Sequence, residues 1–149
     1  MGVVRRGQRL RRAARDGLRV RRLRRDGRRA RLLVLHGPKR ATAELVQAFA
    51  AQGEPLPRAG DRCVVLGGDG RPLAVVRTTE VRVGPLSSVD DRFAWDEGEG
   101  DRTRAWWLDA HTRFFSRQCT AMGLTFSDDI GVVFERFELV WRSATRSAA

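Results

Sequence analysis

The positive charge of this chain sits at one end, and that fixes how much of it can build a core. Residues 1–33 carry fourteen Arg against Asp16 and Asp26, a balance of +12. The 116 residues that follow hold 15 basic and 16 acidic groups, a balance of −1. A block of like charge repels itself and has little apolar surface to bury. Residues 1–30 therefore read as an Arg-rich tail, disordered or irregularly helical. Residues 31–142 read as one domain, long enough to bury a core. Residues 143–149 read as a disordered C-terminal tail.

No apolar run approaches the ~18 residues that a membrane helix needs. The first residues have charge but no apolar segment, so they do not read as a secretory signal. Cys63 and Cys119 are far apart and lack metal-ligand spacing. Both are expected to be reduced packing residues of a cytoplasmic protein.

Hydrophobic period and turn chemistry give the element order. "ARLLVLHG" (30–37) reads as the last turns of a helix stopped by Gly37 and Pro38. "ATAELVQAFAAQG" (41–53) has helical spacing at Leu45, Val46 and Phe49. "RCVVLG" (62–67) and "RPLAVVRTTEVRVG" (71–84) are β-rich runs joined by the turn "GDGR", the second long enough to bend. A short capped helix and an acidic loop are expected over 86–101. A helix is expected over 102–123, with Trp107, Ala110 or His111, Phe114 and Phe115 on one face. "VVFERFELVW" (132–141) alternates as a closing strand. Mostly antiparallel strands with segregated helices imply an α+β fold, a small barrel with helices packed on it.

Among 29 basic residues, one is lysine. Tyr and Asn are absent and Ile130 is the single isoleucine, which fits a GC-rich coding sequence that drifts toward Arg wherever a generic cation suffices. Lys39 then stands either by chance or where a guanidinium will not serve, since an ammonium can be deprotonated and a guanidinium cannot. In a turn, its spacing to Thr42 puts an amine and a hydroxyl on the same side. In the long strand run, alternation puts Thr78 and Glu80 on one face and Thr79 on the other. An inward Glu80 needs a partner, and Lys39 is the obvious one.

Two chemistries fit these residues. In one, Lys39 takes the proton of a Thr42 nucleophile and Glu80 orients it or protonates a leaving amine. In the other, Lys39 and Glu80 are a buried ion pair and Thr42 is a helix cap. No phosphate-binding loop, dinucleotide fingerprint, zinc spacing or nucleophile elbow is present. His111, on the aromatic helix face, reads as a packed, hydrogen-bonded side chain. Asp96, Glu97, Glu99 and Asp101 lack the ordered spacing of a calcium loop and read as a helix-capping acidic loop.

Four stretches, "HGPKRATAELV", "GEPLPRAGDRCVVLGGDGRPLAVVRTTEV", "EGEGDRTRAWWLDAHTRFF" and "VVFERFELV", resemble the ASCH domain of the PUA-like superfamily. The resemblance covers roughly residues 31–141, and its most specific parts are G-x-K-x-x-T and "EGEGDR". It implies a small β-barrel with flanking helices, a cleft lined by the Lys39 loop, and RNA or a modified pyrimidine nucleoside as partner. Some ASCH proteins are amidohydrolases acting on N4-acylated cytidines; others are linked to ribonuclease activity or to RNA binding without catalysis. Carried over, the amidohydrolase set implies Lys39, Thr42 and Glu80 as catalytic residues. His36, Gly37, Arg40, Thr78, Glu97 and Arg136 are the expected substrate contacts, with no metal and no cofactor. One departure is plain: the segment before "LLVLHG" is Arg-rich where family members are more acidic and amphipathic.

Overall fold

The computed structural model describes residues 18–21, as backbone, and 27–144. The element order is β1 (Leu18–Arg21), α1 (Gly27–His36), β2 (Ala41–Leu45), α2 (Val46–Ala51), β3 (Arg62–Leu66), β4 (Pro72–Pro85), a 3-10 turn (Leu86–Ser88), α3 (Asp91–Glu97), α4 (Arg104–Ala121) and β5 (Gly131–Arg142). The strands form one sheet in the order β1-β3-β4-β5-β2. β1 runs parallel to β3, and every other neighbouring pair is antiparallel. The four antiparallel strands curl into half a barrel, the α+β architecture expected from the sequence.

Each face of the sheet carries its own apolar layer. On one face, α3 and α4 bring Phe93, Ala94, Trp107, Phe115 and Cys119 against Ala41, Ala43 and Leu45 of β2 and Val132 and Phe134 of β5. The α4 positions Trp107, His111, Phe115 and Cys119 recur every four residues, so one stripe of that helix is buried. On the other face, Val34 and Leu35 of α1 cover Cys63, Val65, Ala74, Val76 and Phe137. Each such large side chain contributes roughly 1.5–3 kcal/mol by leaving water.

Two expectations need correction. Residues 41–45 form a strand, not the start of a helix: Ala41, Ala43 and Leu45 are buried while Thr42 and Glu44 are less so. That period of two matches the ladder with β5, and tertiary pairing overrides the local helical spacing. Only Val46–Ala51 is helical. The second correction concerns β4. Its register passes from Thr78 opposite Phe137 to Glu80 opposite Arg136, so Thr79 is an extra residue, a β-bulge. Thr78 is buried, but the bulge turns Glu80 outward, with its side chain 60% exposed.

The expected tail at 1–30 lies largely outside the described residues. Within them, Leu18–Arg21 adds an edge strand beside β3, and α1 begins at Gly27. Most of the expected C-terminal tail likewise lies outside them. No helix among the described residues is long and apolar enough to cross a membrane.

Candidate functional site

The Lys39 loop is held from three sides. The amides of Gly37 and Lys39 both donate to the Leu33 carbonyl at the end of α1. Arg40 N donates to Asp96 O at 2.7 Å, and Arg40 O accepts from Phe137 N at 3.0 Å. The Arg40 guanidinium turns back to the carbonyls of Val34 and Lys39. Arg40 therefore serves the loop, satisfying carbonyls that the helix end leaves without partners.

So anchored, Lys39 is 2% exposed. Its Nζ lies 3.6 Å from Glu97 Oε1 and 3.4 Å from Glu99 Oε1. Its partner is not Glu80, which the bulge has turned to solvent and which pairs instead with Arg136 at 3.7 Å. Arg136 also donates from Nε to Asp96 Oδ2 at 3.1 Å.

The two carboxylates beside Lys39 differ in kind. Glu97 is fully buried, and one oxygen accepts from the Trp107 indole N–H. The other lies 3.1 Å from His111 Nε2. The His111 ring stacks on Trp107 with centroids 3.7 Å apart, and its Nδ1 bonds to the Trp107 carbonyl. Burial by itself would raise the Glu97 pKa. The charge of Lys39, with His111 and the Trp107 N–H, outweighs it and lowers the pKa to about 2. Glu97 is thus a fixed anion. The Glu99 side chain is 13% exposed and stands at the outer rim of the pair.

Glycine makes this closeness possible. Gly98 has φ 71°, and a Cβ there would lie 2.9 Å from Lys39 N and 3.1 Å from the Pro38 carbonyl carbon. Only a residue without a side chain lets the acidic loop meet the lysine loop backbone to backbone. Gly98 N donates to Trp95 O at the C-terminal end of α3, and Thr103 caps α4 through Trp106 N, so helix ends fix both sides of the loop.

Thr42 stands three residues on from Lys39, in β2. Strand alternation turns it away from the layer of Ala41 and Ala43 and toward Glu135, its cross-strand partner. Glu135 is 2% exposed and accepts from Thr78 Oγ1 at 2.9 Å. Thr42, Thr78 and Glu135 thus stand beside one another across three strands. β2 is one edge strand of the sheet. His36 is exposed at the end of α1, and His111 is fully buried and hydrogen-bonded, as its helix face predicts.

Sequence reasoning missed Glu99 and Glu135. For Glu99 a signal existed: a carboxylate between two glycines in the acidic loop. For Glu135, buried in a strand that reads as alternating, there was none.

The ASCH domain family model matches residues 25–141. The chain belongs to the ASCH domain family. The crystal structure of an ASCH domain from Lactobacillus crispatus JV V101 is similar at 30% identity and a TM-score of 0.78, over 95% of this chain and 98% of that one. A protein of Enterococcus faecalis V583 is similar at 36% identity and a TM-score of 0.68, over 76% of this chain and 68% of that one. No curated protein matches the chain. In this ASCH domain, the G-x-K-x-x-T loop and the "EGEGDR" loop are the two that meet at Lys39.

Proposed function

We propose that this ASCH protein hydrolyses the exocyclic N-acyl amide of an N4-acylated cytidine, with Lys39 and Glu99 as the working pair. The observation that carries the reading is a buried ammonium with one carboxylate of lowered pKa behind it and one rim carboxylate in front. Glu97 holds the lysine in place, and Glu99 can exchange protons with a ligand at the rim. Flanked by two carboxylates, Lys39 serves as a cation and not as the base.

The chemistry then needs no group beyond these and water. Water adds to the acyl carbonyl while Glu99 takes its proton. The carbonyl oxygen becomes an oxyanion beside the Lys39 ammonium, a charge placed in advance where the transition state needs it. Glu99 returns the proton to N4 as the C–N bond breaks, giving a carboxylic acid and cytidine. In this reading Thr42, paired across the ladder with Glu135, contacts substrate and the attacking group is water. RNA is the natural source of such a nucleoside, and the cytoplasm is where it would be met.

The test is incubation of the purified protein with N4-acetylcytidine, following cytidine by chromatography. Release of cytidine that disappears in Glu99→Gln supports the reading. Absence of turnover by the wild-type protein on both the nucleoside and an oligonucleotide containing it would reject it.

A further inference from the structure

We infer that Trp95 and Arg102 form a stacking platform for a base of single-stranded RNA, placed beside the Lys39–Glu99 pair. Trp95 lies on α3 with 56% of its surface exposed, although the core takes the other large aromatic of that helix, Phe93. The Arg102 guanidinium lies 3.6 Å over the indole ring. It is pinned there by its Nε, which donates to the Trp95 carbonyl at 2.9 Å. Among the described residues, its terminal nitrogens have no other hydrogen-bond partner.

The backbone is bent to hold this arrangement. Arg102 has φ 64°, the single non-glycine residue with positive φ among those described. Such a conformation is costly for a residue with a side chain and persists where the surroundings enforce it. Here Arg102 N donates to the main-chain carbonyl of Glu99 at 3.1 Å, so the residue is tied through the backbone to the one whose carboxylate faces Lys39. Arg102 of the platform and Glu99 of the working pair lie on one loop, residues 98–102.

An indole layered with a guanidinium suits one chemistry well. Bases stack on aromatic rings and on Arg planes, and free guanidinium nitrogens reach the adjoining phosphate. The strongly basic residues 1–33 add sequence-independent attraction to the same polymer. The inference rests on the nucleoside reading of the Lys39 site for its placement: the reacting cytidine occupies that site and its neighbour in the strand stacks on Trp95.

Binding of the full-length protein to a labelled, unstructured eight-nucleotide RNA, followed by anisotropy, provides the test. Phosphate contacts fade with salt and stacking does not, so titrations at about 0.1 M and about 0.4 M salt separate the two. Trp95→Ala and Arg102→Ala should each weaken binding about tenfold at the higher salt, and Trp95→Phe should restore most of it. Both surface variants should melt close to the wild type. With N4-acetylcytidine inside the oligonucleotide, Trp95→Ala should raise KM about tenfold while leaving turnover of the free nucleoside unchanged. Weakened RNA binding in a protein that hydrolyses nothing would keep the platform and reject the hydrolase. Wild-type affinity in Trp95→Ala at the higher salt would overturn the platform whatever the hydrolysis.

Discussion

Lys39 Nζ stands 3.4 Å from Glu99 Oε1, a pair sixty residues apart in sequence that two glycine-bearing loops bring together. Behind it, Glu97 contacts the same ammonium from within the core. One lysine thus bridges a carboxylate that builds the fold and a carboxylate that meets the ligand. The two can be told apart by substitution.

Glu99→Gln should lower hydrolysis about 100-fold or more, the usual loss on removing a general acid–base, and should shift the melting temperature little. Glu97→Gln should do the reverse in stability. It leaves the buried Lys39 with its innermost counter-charge gone, and breaking a buried pair costs about 3–5 kcal/mol. Thermal melts beside single-turnover rates on the folded protein check both. Equal stability losses in the two variants would reject the division of roles.

Lys39→Met removes the cation and should abolish turnover. Lys39→Arg keeps the charge but must fit a planar fork into a site that is 2% exposed. It should retain measurable activity only to the extent that the larger head is accommodated, and KM should change less than kcat. Unimpaired turnover by Lys39→Met would remove the lysine from the mechanism.

Gly98→Ala places a Cβ 2.9 Å from Lys39 N in a backbone conformation that glycine alone adopts freely. The neighbours are main chain and cannot swing aside. A loss of at least about 1 kcal/mol is expected, a fall of roughly 3–8 °C in melting temperature. Hydrolysis should fall further than stability, because the shift separates Glu99 from Lys39. A variant as stable and active as the wild type would show that the two loops do not meet this closely.

Acid should weaken the fold through Glu97. Its folded pKa of about 2 lies below the ordinary 4.5, so its contribution is complete above pH ~5 and is lost as the pH falls toward 2. The difference corresponds to about 3 kcal/mol. Urea midpoints at pH 7, 5 and 3 should decline in the wild type, and the decline should be shallower in Glu97→Gln. Parallel declines in both proteins would place the acid sensitivity elsewhere.

What sequence could and could not show follows from which interactions are local. The β3–β4 hairpin, the buried stripe of α4 and the closing strand all come from short-range periodicity, and each stands where that periodicity put it. "ATAEL" carried both a helical and an alternating pattern, and the ladder with β5 decided between them. Glu80 was placed by strict alternation along β4. The Thr79 bulge, which no residue in "VVRTTEV" announces, broke that parity and released Lys39 to a different acidic loop. Glu135 is an acidic residue in a strand whose two faces are both covered, a fact that exists only once α1 has packed.

The basic N-terminal residues give the last prediction. Residues 1–17 contain six Arg and one Asp, and they precede the first described strand. Their removal should leave the sheet and α1 in place, with the melting temperature nearly unchanged. A longer cut, through residue 29, removes β1 and the first residues of α1, just before the buried Ala30. That protein should be less stable, because β3 loses its outer partner. For RNA, each phosphate neutralised adds about 0.7 to the slope of log affinity against log salt on a single strand. Loss of six Arg should therefore flatten the salt dependence and weaken binding most at low salt. Turnover of the free nucleoside should be the same in the shorter truncation, since Lys39, Glu97 and Glu99 are all retained. Stacking at Trp95 is nearly independent of salt, so the affinities of the wild type and the shorter truncation should converge as salt rises. An unchanged salt slope in the shorter truncation would show that residues 1–17 do not contact RNA and would leave the Trp95–Arg102 face as its docking surface.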